Sequence, residues 1–200
     1  MILQVSLVLA ALSAVGSSYL CCAPSRFSAN QDVTFTNSTT TYRGLYYFVW
    51  DSPNKRYVVG EDRIETNFYG IRRTIYDYKK RTAYKIDAEA RTCSTFPTQG
   101  RFDDQENVCV PSTAKTLGPL FYGFDVDTLH GRTYITNSTT PDGRQKNVIA
   151  VVTKDCIPII STTIVGGYGQ GDSLRVLAYN NVFPGVKDIS IFEVPSYCYA

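Results

Sequence analysis

Six cysteines, one histidine, two small carboxylate groups and two Asn-Ser-Thr triplets are the residues whose types and spacing suggest chemistry in this 200-residue chain. The cysteines are Cys21, Cys22, Cys93, Cys109, Cys156 and Cys198. No Cys-x-x-Cys or Cys-x-x-His spacing occurs, so a zinc site is not indicated. In an oxidising compartment an even number of cysteines reads as disulfides, and spacing alone does not choose among the possible pairings.

His130 is the only histidine, and no nucleophile motif lies near it. It reads as a loop or strand-end residue rather than a general base. Asp103, Asp104 and Glu106 form one acidic group, Asp125 and Asp127 another. Either is a candidate contributor to a Ca²⁺ site, which takes roughly six to eight oxygens; neither carries the Gly and final Glu of a calcium loop, and solvated loops are the better reading. No firm metal site is expected. The Gly-rich run from Gly166 to Gly171 precedes a strand-like segment, not a helix, so it is not a phosphate cradle. Asn37-Ser38-Thr39 and Asn137-Ser138-Thr139 are acceptor sequons. In a secreted chain Asn37 and Asn137 should carry glycans and lie on surface loops.

The context for that chemistry is extracytoplasmic. Met1 to Leu20 contains no charged side chain, and Val5 to Val15 is apolar. Residues 1–18 read as a signal peptide, with cleavage after 16 to 20. The run falls short of the ~20 apolar residues that span a bilayer. Residues 19–200 then form a single domain. With 20 basic and 18 acidic residues, the chain lacks the excess charge of a general nucleic-acid or membrane-surface binder.

The elements that must position these residues are strands. Fifteen tyrosines and ten phenylalanines, with Thr-rich runs and spaced Gly and Pro, favour an all-β domain with at most one or two short helices. Ile71 to Tyr78 and Thr82 to Asp87, separated by Lys79-Lys80-Arg81, predict a hairpin. Gly44 to Trp50 and Lys55 to Val59 predict another pair around Asp51-Ser52-Pro53-Asn54. Gln31 to Thr36, Leu120 to Val126, Gly131 to Thr136, Asn147 to Thr153, Ile157 to Val165 and Ser173 to Tyr179 also read as strands. Cys21 to Phe27 reads as an irregular anchor, and Thr95 to Pro119 as a long loop holding at most one helical turn. The abundant aromatics fill a core or, on a curved sheet, line an apolar pocket.

Four blocks carry a family resemblance: Cys21-Cys22-Ala23-Pro24; Tyr84-Lys85-Ile86-Asp87 leading to Cys93; Lys154-Asp155-Cys156-Ile157-Pro158; and the ending from Gly185 to Cys198. In order and spacing they resemble the ependymin family of secreted glycoproteins. Phe27, where the family usually has Trp, and Ile189, where it usually has Pro, depart from the pattern. The resemblance implies two stacked, curved antiparallel sheets enclosing an apolar pocket, similar to bacterial lipoprotein-carrier folds, and a possible homodimer. It implies the disulfides Cys21–Cys156 and Cys93–Cys198, leaving Cys22–Cys109 as a third. Two functions follow as expectations. One is a non-enzymatic secreted protein, extracellular or in the lysosomal lumen, that binds a fatty acid or other lipid between its sheets. The pocket residues expected are Tyr47, Val49, Tyr76, Tyr78, Tyr84, Ile86, Phe121 and Ile149. The other is an extracellular-matrix or adhesion glycoprotein associated with Ca²⁺, such as a component of a calcified shell matrix.

Overall fold

The computed structural model describes residues 19–61, 72–106, 108–123, 125, 128–140, 142–166 and 171–199. The apolar amino-terminal run, most of the segment from Glu61 to Asn67 and most of the glycine-rich run lie outside them. Thirteen strands follow in order: β1 Tyr19–Cys22, β2 Arg26–Asn37, β3 Thr41–Asp51, β4 Arg56–Glu61, β5 Arg72–Asp77, β6 Thr82–Asp87, β7 Thr92–Pro97, β8 Cys109–Pro111, β9 Lys115–Tyr122, β10 Leu129–Thr139, β11 Gln145–Val152, β12 Pro158–Gly166 and β13 Ser173–Pro184. Short 3-10 turns occupy Ser52–Asn54, Phe102–Asp104, Ile189–Phe192 and Ser196–Tyr199.

The fold is mainly β, with two antiparallel sheets of very unequal size. Eleven strands join in the order β7-β6-β5-β4-β3-β2-β13-β12-β11-β10-β9, and β1 pairs β8 in a two-stranded ribbon. The large sheet is thus two meanders, β2 to β7 and β9 to β13, sealed along β2 and β13. The seam runs from Ser173 opposite Asn37 to Pro184 opposite Phe27. Successive side chains on a strand point to opposite faces, so the register sorts residues onto an inner and an outer face.

Phe27, Phe48, Trp50, Tyr57, Leu177 and Tyr179 share the inner face and are buried. Phe102 stacks on Trp50 with centroids 4.1 Å apart, and Val108 and Ala23 complete the cover. The segment from Thr95 to Pro119 is therefore not one long loop. It contains the end of β7, all of β8 and the start of β9, and its middle folds back over the inner face. Cys21 to Phe27 likewise holds part of β1 and the start of β2 instead of an irregular anchor. Cys22–Cys109 joins the two ribbon strands, and Cys21–Cys156 ties the ribbon to the turn between β11 and β12.

The outer face buries Val49, Val58, Ile75, Tyr84 and Ile86 beneath Phe192, with Ile191, Val194 and Tyr197 packed around them. Cys93–Cys198 fastens this carboxy-terminal strap to β7. At the strap's root lies a buried charge. Asp51 is excluded from solvent and accepts bonds from Arg26 Nε at 2.9 Å, Arg56 Nε at 2.8 Å and Asn54 Nδ2 at 2.8 Å. Arg56 in turn lies over the Phe192 ring, 4.0 Å from its centroid.

Burial pushes the Asp51 carboxyl up, but the Asn54 amide and the two guanidiniums outweigh that and hold it below the ordinary 3.8. A carboxyl lowered on folding contributes stability that is fully present above its unfolded value, about 4, and is lost as pH falls further. The thermal midpoint should therefore be level from pH 7 to about 5 and fall below about 4. Asp51→Asn should flatten that acid limb in a calorimetric pH series; an equally steep limb would assign it to other carboxyls.

Candidate functional site

The inner face holds a cavity of about 730 Å³ stretching from β13 to β7. That volume lies within the ~300–1,000 Å³ typical of small-molecule sites. Its lining follows from strand phase. Tyr46 on β3 stands opposite Glu61 on β4, Val59 opposite Thr74 on β5, and Arg72 opposite Asp87 on β6. Val33, Tyr46, Val59 and Tyr76 give the cavity its apolar surface. Tyr76 stacks on Tyr57 with centroids 4.4 Å apart and meets Phe96 edge-on at 6.2 Å. Burial pushes the hydroxyls of Tyr57, Tyr76 and Tyr78 up, so this aromatic layer stays neutral at physiological pH.

The lining is amphipathic. At the β4–β6 end, Arg72 Nε pairs with Asp87 at 2.9 Å, and Arg72 Nη1 approaches Glu61 at 3.7 Å. At the β13–β2 end, Arg175 Nη2 donates to Glu106 Oε2 at 3.1 Å, and the Tyr179 hydroxyl donates to the Glu106 carbonyl at 2.8 Å. Gln31, 1% exposed, lies beside them. A second cavity, about 430 Å³, is lined by the β1–β8 ribbon, β10 and β11; threonines 113, 136, 139 and 140 contribute to its wall.

The residues expected to line one pocket divide between the two faces. Tyr76 and Tyr78 face inward. Ala83, not Tyr84, stands opposite Tyr76, and Tyr84 stands opposite Ile75. Tyr47, Val49, Tyr84 and Ile86 consequently face outward, where the last three are core beneath the strap. Of these four only Ile86 also borders the cavity. Ile149 lies opposite Ile135 and Thr162 on the outward side of the other meander. Phe121 is 59% exposed on the edge strand β9, edge-on to His130. The physical reason is register: a one-residue offset between paired strands exchanges their faces. Strand composition announces β structure without fixing that offset. Gln31, Glu106 and Arg175 were invisible as a group, because they meet only through pairing across the seam and the folding-back of the 102–108 segment.

The described members of the two acidic groups turn to separate partners. Glu106 turns to Arg175, and Asp103 approaches Arg101 at 3.9 Å. The Asp125 carbonyl accepts the Thr128 hydroxyl at 2.7 Å. Asp127 and the Asp104 side chain lie outside the described part. Among the described residues no three of His, Cys, Asp and Glu group as metal ligands. The sequons are not on free loops: Asn37 ends β2 and Asn137 lies within β10. Asn137 is exposed, and Asn37 Oδ1 accepts from the amides of Thr39 and Thr40 at 2.9 and 2.7 Å, organising the β2–β3 turn.

A family model described as Ependymin matches residues 67–198. The chain is similar to two abalone proteins from Haliotis asinina. It is 52% identical over 201 residues to Ependymin-related protein 1 and 55% identical over 202 residues to Ependymin-related protein 2, with 100% of each chain covered. Among solved structures it is similar to an uncharacterized conserved protein from Thermus thermophilus. That match has a TM-score of 0.50 at 8% identity, covering 86% of this chain and 87% of the other. A LolA superfamily protein from Nitrosomonas europaea gives a TM-score of 0.42 at 10% identity, covering 86% and 91%.

Proposed function

The chain belongs to the ependymin family, and from that membership we propose that it is a secreted, non-enzymatic glycoprotein that holds a lipid-like ligand in the inner-face cavity. The observation that carries the proposal is the cavity itself. Tyr46, Val59 and Tyr76 pack against the inner core but are only partly buried, and they remain open to the cavity beside the charged side chains of its wall. Apolar surface left uncovered gains on the order of 25 cal/mol per Å² when a ligand removes it from water. Three disulfides and no free cysteine among the described residues suit an oxidising, extracellular setting. No helix among these residues is long and apolar enough to cross a membrane.

Tyr76→Asp tests the placement. A carboxylate in the stacked layer should lower retention of radiolabelled oleate at least tenfold in a filter assay, since an unpaired charge would be desolvated by the bound chain. Phe121→Ser, on the distant edge strand, should leave retention unchanged. Undiminished retention by Tyr76→Asp, with the thermal midpoint preserved, would remove the ligand from this cavity.

A further inference from the structure

Taking the carrier reading as its basis, we propose that Gln31 and Arg175 form a polar terminus of the cavity that takes the anionic oxygen head of a single-chain amphiphile. The first observation is an unmet donor. Gln31 is 1% exposed and borders the cavity. Its side-chain amide offers two N–H groups. Gln31 Nε2 meets no acceptor at full hydrogen-bond geometry, although the Tyr179 hydroxyl, on its register partner in β13, lies close enough to interact with the amide. A buried amide nitrogen without an acceptor is costly, and such groups normally have a partner.

The second observation is the cation beside it. Arg175 lies on the same inner face, and its guanidinium makes one bond of 3.1 Å to Glu106 rather than a two-pronged pair. Five N–H donors belong to that group, and its side chain is 38% exposed within a cavity-lining position. Tyr42 and Tyr46 sit within its electrostatic reach. This end therefore holds donors in excess of acceptors, in a place partly closed to water. Charge over the whole lining points the same way: Arg72, Arg73, Lys85 and Arg175 face three carboxylates.

A ligand oxygen anion satisfies both observations at once, taking the Gln31 amide and the spare Arg175 donors. Charge-assisted bonds of that kind are about twice as strong as neutral ones. The apolar tail then runs over Tyr46, Val59 and Tyr76 toward β6. Four strand spacings separate β2 from β6, roughly 19 Å at about 4.8 Å each, which suits one extended chain. A carboxylate and a phosphate monoester present the same chemistry to this end, and the probes must separate them.

The experiment uses the secreted, disulfide-bonded protein and three single-chain probes: oleate, oleoyl lysophosphatidate and oleyl alcohol. The wild type should bind at least one anionic probe tenfold or more tightly than the alcohol, and the tighter one identifies the head. Gln31→Leu and the charge-neutral pair Arg175→Met with Glu106→Gln should each bring the affinity for the anionic probe down to within about twofold of that variant's own affinity for the alcohol. Equal wild-type affinity for anions and alcohol overturns the proposal and leaves the carrier reading standing. A preference that survives either folded variant does the same. Failure of the wild type to bind any probe ends the carrier reading and this proposal together.

Discussion

Replacing Asp51 with alanine should lower the stability of the protein by about 3 kcal/mol, at the lower end of the range for breaking a buried ion pair. The side chain is fully buried, and removing it leaves two guanidiniums, on the strands either side of β3, without their shared counter-ion. Arg26 is 49% exposed and can recover some hydration, which keeps the cost from the upper end. The consequence extends beyond β2, β3 and β4. Arg56 is also the cation over Phe192, and the Arg26 carbonyl accepts the Gly185 amide at 2.9 Å. Asp51 thus holds the strap to the outer face through both arginines. For a domain of this size the thermal midpoint should drop by roughly 6–12 °C. Asp51→Asn keeps a hydrogen-bonding side chain and should lose about half as much. Near-UV circular dichroism melts at pH 7 measure both; a fall of under 2 °C for Asp51→Ala would mean the pair contributes nothing net.

Removing the Cys93–Cys198 bridge by a double serine substitution should have a comparable or larger effect. The bridge closes a separation of 105 residues. Loop-closure entropy for that length is about 4.7 kcal/mol, and measured effects run from about 2 to 5. A midpoint lowered by roughly 8–15 °C is expected. Limited proteolysis should then cut within 185–199 while the cavity keeps its ligand, because the strap packs on the opposite side of the sheet and only the Cys93 end of the bridge borders the cavity. Ligand loss at temperatures where the sheet remains folded would contradict the separation of the two faces.

Much of the fold was legible in the residues. The Tyr-, Ile- and Thr-rich runs became β5 and β6 within a residue of their expected ends, and GLYYFVW became the body of β3. Asp87 closes its turn by accepting from the amides of Glu89 and Ala90, as Asp at a turn start does. The ribbon and the inner cover were not legible. β8 is three residues long, and β9 exposes Leu117 and Phe121, so neither shows the alternation that marks a half-buried strand. Phe102 gives no local sign that it will stack on Trp50, fifty-two residues earlier. The site was legible only in its aromatic content. Its polar end depends on Glu106 and Arg175, 69 residues apart, and on a glutamine whose burial is decided wholly by the seam between the meanders.

Native mass spectrometry of the secreted protein, with solvent extraction and lipid analysis of the same sample, tests most directly whether the inner-face cavity holds a ligand. The expected result is one lipid molecule per chain, co-purified or taken up from added oleate, and its loss in Tyr76→Asp. A clean ligand-free mass that takes up no oleate or lysophosphatidate would contradict the account and leave the stacked tyrosines as packed core alone.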